Sequence, residues 1–135
     1  MSERDFERVV EEGRALQGLF PDLGLVAVGG TAAALHCRHR VSLDVDEVTP
    51  RLQESFEQIA SALARWDGWT TNRLHPPVLI LGERHGVELG LRQQRRAVPL
   101  QTTTVESLTV PTPAEMLRIK SFLLTERRNT RDYVD

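Results

Sequence analysis

The chain has 135 residues, 40% hydrophobic and 27% charged, with a net charge of −2. Those values predict one domain, residues 1–135, with an ordinary globular core. They exclude a membrane-spanning segment, because no apolar run is long enough, and an internal disulfide, because Cys37 is alone. A globally basic nucleic-acid binder is excluded too, so any RNA contact must come from a local patch.

Met1 to Glu12 is charged and amphipathic and holds no signal-peptide core. With the single cysteine, it predicts a reducing cytoplasm. Ser2 can cap a first helix, in which Phe6, Val9, Val10, Gly13 and Leu16 recur at helical spacing. Residues 20–24 form a turn into a short strand, residues 25–28, which ends in Gly29-Gly30-Thr31. Small residues 32–35 then read as a helix opening directly off the glycines. After a polar elbow, residues 36–40, a second strand carries Asp44 and Asp46 on one face, with Leu43 and Val45 on the other. Glycines let the backbone approach a phosphate, and the first N–H groups of the helix point at it. Two carboxylates supply hard oxygen ligands to magnesium. This stretch is the chain's central candidate site.

Pro50 precedes a helix with Leu52, Phe56, Ile59, Ala60 and Leu63 on its apolar face. Three strands follow over residues 69–74, 78–81 and 87–91, with Glu83-Arg84-His85-Gly86 as the turn before the last. In that last strand Glu88 and Gly90 share the face opposite Val87, Leu89 and Leu91. Glu88 is therefore a candidate third carboxylate, with a solvent-facing strand glutamate as the alternative; Glu83, placed in the turn, is a poorer one. Arg92, Arg95 and Arg96 form a basic cluster just past the strand, either solvated charge or a phosphate-backbone contact. Residues 102–104 read as loop and 105–110 as an edge strand. Thr112-Pro113-Ala114-Glu115 then opens a helix, with threonine as cap and glutamate three residues on.

Gly29-Gly30-Thr31 followed by Asp44-x-Asp46 resembles the signature of the nucleotidyltransferase superfamily that includes DNA polymerase beta. The fuller string, Gly29-Gly30-Thr31-Ala32 and then His39-Arg40-x-Ser42-x-Asp44-x-Asp46, is similar to the AbiEii toxins of bacterial abortive-infection and toxin–antitoxin systems. Pro113, Glu115, Lys120, Arg127 and Arg131-Asp132-Tyr133-x-Asp135 resemble that family's second block. The resemblance implies an α/β (α+β) nucleotidyltransferase core, a small mixed twisted sheet flanked by helices. It implies metal held by Asp44, Asp46 and Glu88, with two magnesium ions, or manganese, roughly 3.5–4 Å apart. It implies nucleotide phosphates on Gly29, Gly30 and Thr31, with Ser42 nearby and Lys120 as an added charge. His39, Arg40, Arg127 and Asp132 would support the site. Lys120 is the chain's sole lysine, which agrees with a position needing a compact ammonium.

The implied reaction moves a nucleoside monophosphate from a nucleoside triphosphate to the 3′ end of tRNA or to a protein hydroxyl. The implied partner is a cognate antitoxin. The chain stops at Asp135, where the toxins continue into helices, so a minimal or trimmed core is expected, with an oligomer as a substitute wall. The alternative function is a nucleotide- or partner-binding module without turnover, and an unrelated α/β domain matching by chance is a third reading. Zinc on His36, Cys37 and His39 is disfavoured by the tight spacing, and Cys37 is more simply a buried small residue.

Overall fold

The computed structural model describes residues 3–28, 44–95 and 99–118. Helix α1 (Glu3–Leu19) leads through a 3-10 turn, Pro21–Leu23, to β1 (Val26–Val28). Gly24 closes that turn at φ +65°, a left-handed conformation that glycine adopts without a Cβ penalty. Next come β2 (Asp44–Thr49), α2 (Phe56–Ala64), β3 (Trp69–His75), β4 (Leu79–Arg84), β5 (Val87–Gln93), β6 (Thr102–Val105) and β7 (Leu108–Pro111).

The first five strands form one sheet in the order β1-β2-β5-β4-β3. Only β2 and β5 run parallel; the other neighbours are antiparallel. A short second ribbon pairs β6 with β7. This is a mixed α+β architecture with helices on the sheet, as the sequence predicts.

Period-two alternation divides the sheet into two faces of opposite character. On one face Val45, Ile80, Val87, Leu89 and Leu91 are buried, packing in one core with Phe6, Val9 and Leu16 of α1 and Ile59 and Leu63 of α2. Each such side chain contributes about 1.5–3 kcal/mol by leaving water. Residues of the other face, such as Asp44, Glu88 and Arg92, stay exposed. Two strand-interior glycines mark the two faces. A Cβ on Gly82 would strike the Trp69 ring on the core side, whereas one on Gly90 would meet Asp46 Oδ1 at 2.7 Å on the open side.

The β6–β7 ribbon is docked by Gln17 of α1. Its Nε2 donates to the Thr109 carbonyl, and its Oε1 accepts from the Thr109 N–H, each at 3.0 Å. The ribbon corrects the expectation of a loop over 102–104 and one edge strand over 105–110. The strand breaks at Glu106 and Ser107, whose φ values are +50° and +64°. Turns of that kind are signalled by Gly or Asn, and neither is present.

Thr112 caps the closing helical segment, residues 113–118, its Oγ1 accepting from Glu115 N–H at 3.1 Å. Glu115 does not return the bond in capping-box fashion. Its buried carboxylate accepts instead from Gln101 N–H at 2.8 Å, while Thr112 N–H donates to Gln101 carbonyl.

Candidate functional site

Strand β2 carries Asp44 and Asp46 on the open face and Val45, Glu47 and Thr49 on the core face. Parallel pairing sets Asp44 beside Glu88 and Asp46 beside Gly90. On the other side of β2, Val28 is the register partner of Asp46. The residue just before Gly29 therefore flanks the second aspartate. Asp44, Asp46 and Glu88 thus lie on one face of two adjacent strands, at the end where β1 runs into the Gly29-Gly30 segment.

Gly90 makes room for this arrangement. The Asp46 carboxylate leans over it into the volume that a side chain would fill. Partial burial raises the Asp46 carboxyl above its ordinary value, Arg92 pulls it back down, and Asp44 adds a smaller upward push. Arg92 Nε stands 3.7 Å from Asp46 Oδ1. Its side chain is about half exposed, so the pair is a weak, screened contact. Among the described residues, no three His, Cys, Asp or Glu side chains are gathered closely enough to hold a metal ion. The strands set the three carboxylates side by side without drawing their side chains into a ligand cluster. The donor set suits magnesium or manganese, being all carboxylate oxygen, and the glycine cradle at position 90 fits a carboxylate that must turn inward.

Two sequence expectations need correction. Glu83 is not in the turn: β4 extends through Arg84, and Glu83 pairs directly with Glu88. Asp44, Glu88 and Glu83 therefore form a row across β2, β5 and β4. Arg92 is not past the last strand but within β5, two places beyond Gly90 on the same face. Continuing the 88, 90, 92 alternation finds it; the assumption that β5 ended at Leu91 hid it. Gly29, Gly30, Thr31, His39, Arg40, Ser42, Lys120, Arg127 and Asp132 lie outside the described residues, as do Cys37 and Arg96.

No protein-family profile matches the sequence, and no curated protein matches it. Solved structures do match. TM1012 of Thermotoga maritima, described as a candidate nucleotidyltransferase, aligns over 99% of this chain and 95% of its own, with a TM-score of 0.58 at 13% identity. The antibiotic-resistance factor ANT(2'')-Ia aligns over 90% of this chain and 74% of its own, again at 0.58 and 13%. The chain has the nucleotidyltransferase fold. A candidate nucleotidyltransferase from Helicobacter pylori shares the fold at a TM-score of 0.53 and 16% identity, covering 89% of this chain. This chain spans 59% of that protein's length, less than two thirds. The open face of β2 and β5 carries Asp44, Asp46 and Glu88, and α1 and α2 pack against the opposite face.

The structure adds one buried acid that the sequence reading left aside. Glu47, fully buried on the core face, has no hydrogen-bond partner for either carboxyl oxygen among the described residues. Burial pushes its carboxyl well above the ordinary value, with the nearby Gln17 amide acting the other way.

Proposed function

We propose that this chain is the core of a metal-dependent nucleotidyltransferase that adds a nucleoside monophosphate to a hydroxyl acceptor. The observation that carries the reading is the register of β2 against β5 and β1. It aligns Asp44 with Glu88, and it puts Asp46 between Gly90 and the strand that leads into Gly29-Gly30. Asp44, Asp46 and Glu88 would hold magnesium or manganese, which when bound offsets charge on the triphosphate and acidifies the acceptor hydroxyl. The chain's own groups supply the rest. Backbone N–H groups at Gly29, Gly30 and Thr31 hold the β- and γ-phosphates, with Lys120 as a further positive charge. The acceptor oxygen attacks the α-phosphorus as the bond to pyrophosphate breaks, and Glu88 takes the hydroxyl proton. Arg92 balances Asp46 while no other cation is near.

By the AbiEii-like strings the acceptor is either the 3′ end of tRNA or a protein hydroxyl, and the role is that of a toxin with a cognate antitoxin, acting in the cytoplasm. A module that binds nucleotide or a partner without turnover is the competing reading, favoured by Arg92 against Asp46 and by carboxylates that are not gathered. Transfer of labelled nucleoside triphosphates to total tRNA in magnesium tests the choice. Transfer lost in Asp44→Ala and Asp46→Ala supports the enzyme. Nucleotide binding without transfer supports the module, and binding indifferent to both substitutions removes the site.

A further inference from the structure

The β4–β5 hairpin, which carries Glu83 and Glu88, does not end in a free tip. Its two turn residues, His85 and Gly86, have φ of +52° and +82°. A loop of this kind prefers Asn-Gly, and histidine is a rarer occupant at positive φ. The histidine reaches inward: His85 Nδ1 lies 3.0 Å from Oε2 of Glu12 on α1. Arg84, next to it, donates from Nη1 to the other oxygen of Glu12 at 2.8 Å and from Nε to the Asp67 carbonyl at 2.8 Å. Its guanidinium also stacks on Trp66, 4.1 Å from the ring centre. The Gly68 backbone, at φ +85°, passes so close to His85 Nε2 that a Cβ would lie 2.9 Å away. Glu12 is 3% exposed. Arg84 and His85 at the hairpin tip thus join two other elements, α1 through the buried Glu12 carboxylate and the α2–β3 connection through Trp66, Asp67 and Gly68.

Such an ionic joint is a poor way to gain stability, because well-packed apolar residues commonly do as well once desolvation is counted. What it does supply is position. Arg84 pairs with Val87, and the next rung is Glu83 with Glu88, whose other neighbour is Asp44. A slip of one residue at the tip would turn Glu88 to the core face and Leu89 to the open face. We propose that Glu12 is a positioning residue that, through Arg84 and His85, holds Glu88 level with Asp44 and so completes the cation-binding row. This rests on the reading of Glu88 as a site carboxylate.

The test uses the full chain and manganese alone, titrated by calorimetry without nucleotide. Urea unfolding followed by Trp66 and Trp69, the chain's two tryptophans, reports the joint and the fold together. Glu12→Leu should still unfold cooperatively yet bind manganese about 5- to 10-fold more weakly. Glu12→Gln, which can still accept from Arg84, should recover part of the loss. His85→Asn suits the turn and cannot reach Glu12. It should keep or raise stability and weaken manganese by about 3-fold, and it decides the matter should Glu12→Leu not fold. Wild-type manganese affinity in folded Glu12→Leu or in His85→Asn overturns the proposal. Asp46→Ala separates the two levels. If it abolishes manganese binding while the Glu12 variant does not, only the positioning role fails; if it changes nothing, the site reading fails with it.

Discussion

Replacing Glu47 by glutamine should remove a pH dependence from folding. The Glu47 carboxyl is fully buried with no hydrogen bond by geometry among the described residues, and burial raises it well above the ordinary value of 4.5. Below about pH 4.5 the group is protonated in both folded and unfolded chains and contributes no slope. Above that, the unfolded chain loses the proton while the folded chain keeps it. The folded state then binds one proton more, so stability falls as pH rises, by about 1.4 kcal/mol per unit, until the folded carboxyl ionises as well. Glu47→Gln cannot ionise and loses this slope, although its buried amide carries a pH-independent cost of about 1–3 kcal/mol. The offset is therefore uninformative and the slope diagnostic. Urea unfolding of both proteins at pH 4.5, 5.5, 6.5 and 7.5 gives the difference directly. Wild type should lose about 1 kcal/mol against the variant over the first interval, where the unfolded carboxyl is still partly protonated. Parallel stability curves would refute the argument, since other titrating groups are common to both chains and cancel.

Three further outcomes follow from the same geometry. Gly82→Ala should destabilise by about 1–3 kcal/mol or more in urea, because its methyl meets Trp69 and the Thr70 carbonyl on the core side; unchanged stability would show that the ring can move aside. Gly90→Ala should leave stability within about 1 kcal/mol, because it meets the movable ends of Asp46 and Leu81. It should nevertheless weaken manganese binding by calorimetry, and equal affinity would mean that Asp46 does not use that space. Gln17→Ala should cost about 2–4 kcal/mol by urea unfolding, since it strands both backbone groups of Thr109, and a loss below about 1 kcal/mol would show that water replaces them.

Features that depend on neighbours in the chain were the legible ones. Alternation in β2 and β5 assigns Asp44, Asp46 and Glu88 to one face because the side-chain period of a strand is rigid. The threonine cap and the helical spacing of α1 are local for the same reason. Partnerships across the sheet were not legible. That Arg92 answers Asp46, that Glu83 adjoins Glu88, and that Gly90 is empty for the sake of Asp46 all depend on register, which no short string encodes. The β6–β7 turn was missed because Glu106 and Ser107 hold positive φ without glycine, through bonds made elsewhere, such as Arg14 to the Glu106 carbonyl.

Asp46 and Glu47 show how far one peptide unit can separate two roles. Both carboxyls are raised by burial, yet one stands beside Arg92 on the open face and the other lies buried on the core face behind it. Alternation makes their environments independent even though their Cα atoms are a single residue apart. A substitution at Asp46 should therefore weaken cation binding, whereas a substitution at Glu47 should change folding against pH and leave cation binding alone. Were the two effects to travel together, the strand would be transmitting strain from core to site, and the division of β2 into a structural face and a chemical face would be wrong.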